Sequence, residues 1–165
     1  MSGTLSRRNL QDETAATLIE FAIIVPLLLL LLFGIVESSR LIAEFASIRT
    51  AAREGARFAT TTDGTGGTPN YRDCSEIIDA TRDKSVLGDT SDVSVTWSAP
   101  GYTHTCTSAN PANDPIQSEV VSGTIVEVEV VSAFDSILPL VSPFFDGIEL
   151  DTKQSREIFV GETTS

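Results

Sequence analysis

Residues 17–36 read TLIEFAIIVPLLLLLLFGIV, and this stretch decides the fold. A run of about 20 predominantly apolar residues has the length of one membrane-spanning helix. Glu20 is the one charged residue inside it. Ahead of it lies a polar tail carrying Arg7 and Arg8. Behind it comes an acidic chain rich in Thr and Val, with the composition of a water-exposed domain. A cleavable secretory signal has a shorter apolar region and a small-x-small exit. Glu37-Ser38-Ser39-Arg40 makes a poor exit, so a retained helix is expected.

The chain of 165 residues leaves room for one small domain beyond the span. A net charge of −12 makes nucleic acid and anionic lipid poor partners. Orientation does not follow from counting cations. Arg7 and Arg8 on one side face Arg40, Arg49 and Arg53 on the other. Long domains, however, cross a membrane largely regardless of charge. The two cysteines, Cys74 and Cys106, both follow the span. One disulfide in an oxidising compartment is the natural reading, against two free thiols in the cytosol. On that ground the N-terminus is placed inside and the C-terminal part outside.

Glu20 has two readings. An ionisable group within a span either awaits a positive partner, such as the amine of a neighbouring chain, or reaches out to the headgroups. Pro26 removes a backbone donor and predicts a kink or loosened turn near Ala22. Helical character continues past the span. Leu41, Phe45, Ile48, Ala52, Ala56 and Ala59 recur at helical spacing and form one apolar stripe. Beside it, Arg49, Arg53 and Arg57 recur every fourth residue, and Glu37, Arg40 and Glu44 allow ion pairs along the helix. The stripe suits either the chain's own outer domain or sister helices in a filament, and both can hold along one long helix.

Several motifs together resemble the TadE-like family, pilin-like proteins of the tight-adherence (Flp pilus) system. They are Ala16-Thr17-Leu18-Ile19-Glu20-Phe21, the Pro- and Leu-rich span, Phe33-Gly34-Ile35-Val36-Glu37, and Ala51-Ala52-Arg53-Glu54-Gly55-Ala56-Arg57. The resemblance covers residues 14–59. Beyond them it is loose, carried by Ser136-Ile137-Leu138-Pro139 and Pro143-Phe144-Phe145. It implies a pseudopilin matured by a prepilin peptidase on the cytoplasmic side. Related pilins are cut after a glycine, five residues before the glutamate. Here the corresponding bond joins Ala15 to Ala16, with alanine in place of glycine. Cleavage would make Glu20 the fifth mature residue and free an amine on Ala16 for the Glu20 of a neighbour. Glu20 and Phe21 are then the residues setting assembly register.

In the outer half, residues 60–71 form a Gly-, Thr- and Pro-rich loop. Asp63-Gly64 lacks the further acidic ligands of a calcium loop, so no metal is expected. A short helix is predicted over 73–87. Asp73 caps it, Glu76 completes a capping box, and Gly88 stops it, with Ile77, Ile78, Val86 and Leu87 on its face. Val93, Val95 and Trp97 alternate with polar residues as a half-buried strand, and residues 99–115 read as a long loop holding Cys106. A Cys74–Cys106 disulfide would tie that loop to the short helix. Val126, Val128 and Val130 alternate with Glu127 and Glu129, so these carboxylates read as a solvated strand face rather than an acid/base pair. Residues 137–145 form an apolar connection near the long helix or the membrane surface. Residues 148–151 and 156–160 read as a final hairpin.

No nucleophile elbow, phosphate loop, dinucleotide fingerprint or zinc spacing is present, and His104 stands alone in a loop. An enzyme is not expected, nor is a cofactor or a small-molecule substrate. The expected fold is α+β: a long N-terminal transmembrane helix extending into a small antiparallel β-sheet domain with one short helix. The parts are a cytoplasmic leader (1–15), the transmembrane helix (16–36), its extracytoplasmic extension (37–60) and the outer domain (61–165). The expected function is that of a minor pilin or pseudopilin in assembly or initiation of a tight-adherence pilus. Its partners would be the membrane, other pilin subunits and a prepilin peptidase, with no nucleic acid. The alternative is a monomeric, membrane-tethered module that binds an extracytoplasmic ligand.

Overall fold

One helix, α1, runs without interruption from Leu5 to Phe58, 54 residues that include Pro26. At the usual rise this is about 80 Å, far more than a bilayer needs. The computed structural model describes residues 5–61, 69–88, 90, 92–116 and 118–159, with side chains from Thr17 onward. Asp63-Gly64 and Val160 lie outside the described residues. Between Thr17 and Val36 the helix presents its apolar side chains outward, with none of the apolar window buried by the other described residues. By length and composition it is able to cross a membrane.

From Glu37 onward one face of α1 is covered. Glu37, Glu44, Ile48, Ala51, Ala52, Ala56 and Ala59 are buried, with Leu41 half-buried beside them. Steps of three and four residues keep these positions on one side. The alanines let the sheet and the second helix approach closely. Phe45 does not share this face. It is 39% exposed, because Glu44 rather than Phe45 falls on the seam between Leu41 and Ile48.

The second helix, α2, spans Cys74–Arg82 after a 3₁₀ turn at Asn70–Arg72. Asp73 caps it, its side chain accepting from the Glu76 N–H at 3.1 Å. Ile77 and Ile78 face the core. The helix ends earlier than its periodicity suggests. Val86 and Leu87 are exposed in a loop whose N–H groups donate to Ser47 Oγ at 3.1 and 3.0 Å. That tether to α1 replaces another helical turn.

Among the described residues four antiparallel strands follow: β1 (Asp92–Ala99), β2 (Tyr102–Thr107), β3 (Ile125–Phe134) and β4 (Ile148–Glu157), in the order β2-β1-β3-β4. Between β3 and β4 lies a single helical turn, α3 (Ser142–Phe145). The architecture is α+β, with the sheet lying on α1 and α2. Register places Val93 opposite Val130, Val95 opposite Val128 and Trp97 opposite Val126, so both alternating runs put their apolar members on the covered face. Trp97 is fully buried, and its indole N–H donates to the Tyr71 carbonyl at 2.8 Å. On the opposite face Glu129 pairs with Lys153 at 3.0 Å, as expected of a solvated side.

Two further expectations are corrected. Residues 99–115 are not one loop. Pro100-Gly101 closes a tight hairpin from Ala99 to Tyr102, with Gly101 at φ 81°, a conformation glycine takes readily. Cys106 and His104 therefore sit on β2. His104 is half-buried, its Nε2 lying 2.8 Å from the Asn113 carbonyl. Residues 148–157 form one strand rather than two arms of a hairpin. Its polar middle fits an edge strand paired on one side only.

Candidate functional site: the membrane-proximal neck

Where α1 leaves its apolar segment, its first carboxylate turns inward. Glu37 has no exposed surface, although it is the first charged residue after the span. Its Oε1 accepts from Ser136 Oγ at 2.9 Å and from the N–H groups of Ile137 and Leu138 at 3.0 Å each. Its Oε2 accepts from Arg40 Nη1 at 2.8 Å. The carboxylate is thus fully used, which is what a buried charge requires. Burial pushes the group up. The Ser136 hydroxyl, the Leu138 N–H and Arg40 outweigh it and hold Glu37 below the ordinary glutamate range.

Arg40 has a second neighbour. Its guanidinium lies 5.2 Å from the centre of the Phe134 ring, and that ring packs 6.3 Å from Phe145. One helical turn further out, Glu44 accepts from Ser132 Oγ at 3.1 Å. Glu37 and Glu44 thereby fasten both ends of the β3 exit to α1. Replacing Glu37 with Ala leaves the Ile137 N–H without its acceptor and leaves the Ser136 hydroxyl and the Leu138 N–H only their longer 3.3 Å contacts with each other's residue. Hydrogen exchange at Ile137 and Leu138 is then expected to speed up by on the order of ten- to a hundredfold. Unchanged protection would show that the carboxylate does not hold the segment.

The predicted site residues divide by position. Glu20 and Phe21 lie in the bare part of α1, Phe21 being 66% exposed. Ala15 and Ala16 are helical in backbone, and their side chains lie outside those described. Ile48, Ala52 and Ala56 are buried against the chain's own sheet and second helix, so these positions are not free for a sister helix. Cys74 and Cys106 are bonded, with Cα atoms 6.5 Å apart, joining the first turn of α2 to β2.

The sequence carries a signal for the neck that the ion-pair spacing of Glu37, Arg40 and Glu44 hides. Glu37 and Glu44 stand seven apart, in phase with Leu41 and Ile48, so two acids share the packed face. Acids in that position need internal donors, and Ser132 and Ser136 provide them.

No curated protein and no solved structure matches this chain. A family model does match one part of it, from the residue before Ala16, through the bare span and Glu37, to the last turn of α1: residues 15–57 match the TadE-like protein family.

Proposed function

We propose that this protein is a minor pilin or pseudopilin that takes part in assembling or initiating a tight-adherence (Flp-type) pilus. The TadE-like match at residues 15–57 implies association with tight-adherence pilus systems. The observation that carries the finer role is the contrast along α1. Its outer half is covered by its own domain. Its inner half, from Thr17 to Val36, is uncovered and contains an acid. Lipid can cover the apolar side chains, but the acid is better served by a charged partner on another helix.

In this reading the N-terminus is cytoplasmic, the outer domain is extracytoplasmic, and a prepilin peptidase cuts between Ala15 and Ala16. Neighbouring subunits meet along the bare span. Gly34, beside which there is open space, leaves room for close approach there. Glu20 and Phe21 set register, and the outer domain selects partners. The role is structural rather than catalytic, with no cofactor.

Glu20→Ala tests this. Insertion is expected to remain intact, while cross-linking to other pilin subunits in membranes falls about three- to twentyfold. That is the size of an interhelical polar contact worth roughly 0.6–1.7 kcal/mol. Equal cross-linking in the variant would favour the tethered monomer.

A further inference from the structure

The geometry points to a second membrane contact: residues 137–144 insert apolar side chains into the headgroup–acyl boundary of the bilayer that α1 crosses. This rests on reading residues 17–36 as the span.

Height comes first. A helical side chain leans toward the N-terminus of its helix, so the Glu37 carboxylate lies over the turn below its own Cα. Ser136, Ile137 and Leu138 are bonded to that carboxylate at 2.9–3.0 Å. The segment is therefore held level with the end of the apolar span, where Phe33 and Gly34 become half-buried.

Exposure comes second. Ile137, Leu140 and Phe144 are 65%, 55% and 74% exposed, while Val141 is 2% exposed and Phe145 packs toward Phe134. One side of the segment is anchored in the protein, and the other presents three large apolar groups that no described residue covers.

Chemistry selects lipid as the occupant. Residues 136–145 read SILPLVSPFF, with no charge. Most of their backbone N–H groups have acceptors within the protein, which lowers the cost of placing them at a membrane boundary. The Ser136 N–H donates to Asp146, those of Ile137 and Leu138 to Glu37, those of Val141 and Ser142 to the Leu138 carbonyl, and that of Phe144 to the Val141 carbonyl. Pro139 and Pro143 have no N–H to satisfy. Attachment through uncharged side chains also requires no anionic lipid, in keeping with a net charge of −12.

The test uses the full chain with its disulfide intact, one copy per phosphatidylcholine nanodisc. A nitroxide is placed in turn at Phe144→Cys, Leu140→Cys, Leu27→Cys and Val86→Cys. Val86 is bound to Ser47, about 15 Å beyond Glu37 along α1. Labels at 144 and 140 are expected to be accessible to oxygen and shielded from a water-soluble nickel chelate. They should resemble position 27 rather than position 86, and adding anionic lipid should change nothing. Nickel accessibility at 144 and 140 equal to that at 86 would overturn the inference. So would shielding that develops only with several copies per disc, which would assign the patch to a second copy of the chain. An aqueous label at 27 would instead overturn the span itself.

Discussion

Gly55→Leu is expected to part α2 from α1 and destabilise the outer domain by about 3 kcal/mol. A Cβ at position 55 would overlap Thr81 Oγ1 and lie 3.2 Å from Thr81 Cβ and 3.4 Å from Val128 Cγ1. Thr81 cannot retreat freely, since it is fully buried and its hydroxyl donates to the Ile77 carbonyl at 2.7 Å. Helix propensity acts the other way, favouring leucine by ~1 kcal/mol. The overlap is the larger effect and sets the sign. Gly34→Leu is the control, because nothing lies within 4 Å of its added Cβ. Urea unfolding of the purified chain, followed by the fluorescence of Trp97, reads both. An unchanged midpoint for Gly55→Leu would show that α2 is not seated on this glycine.

Removing the disulfide has an effect of similar size. Cys74→Ala with Cys106→Ala opens a loop with a sequence separation of 32, which in the chain-entropy picture costs roughly 3–4 kcal/mol. Both cysteines are buried, so the alanines also lose packing around the bond. The bond holds β2, an edge strand otherwise paired through β1, to the first turn of α2. The double variant should unfold at clearly lower urea, with β2 amides losing exchange protection first. A loss below about 1 kcal/mol would mean that the bond contributes little to the fold. Alkylation of intact cells should leave both sulfurs unlabelled if the domain faces an oxidising compartment.

Much of this architecture is legible in the residues because each signal is local. Twenty or so apolar residues report a span, Asp73 with Glu76 a helix start, and the alternating valines of β1 and β3 a half-covered sheet. Where two signals competed, reading by pattern failed. Pro100-Gly101 is a turn dipeptide, yet the Thr, Ser and Asn around it masked the strand that follows. Val86 and Leu87 continue the helical period, but Ser47 captures their amides before another turn forms. The polar middle of β4 concealed an edge strand whose inward residues are Leu150 and Thr152.

The neck is the instructive case. Surface ion pairs explain Glu37, Arg40 and Glu44 cheaply, and such pairs are common on exposed helices. Only long-range contacts, from Glu37 to Ser136–Leu138 and from Glu44 to Ser132, show that the acids are structural. Phe45 is the converse, an aromatic at helical spacing that remains outside the seam. The practical consequence concerns assembly. In the proposed assembly, with Ile48, Ala52 and Ala56 occupied at home, contact between subunits would fall to the bare span and to outward residues such as Ile42 and Phe45.

The mass of the mature N-terminus, measured on protein taken from membranes that contain the pilus machinery, tests the pilin assignment most directly. A chain beginning at Ala16 is the predicted result, since cleavage there creates the amine that Glu20 of a neighbour would meet. A chain still carrying residues 1–15 in assembled material would contradict it.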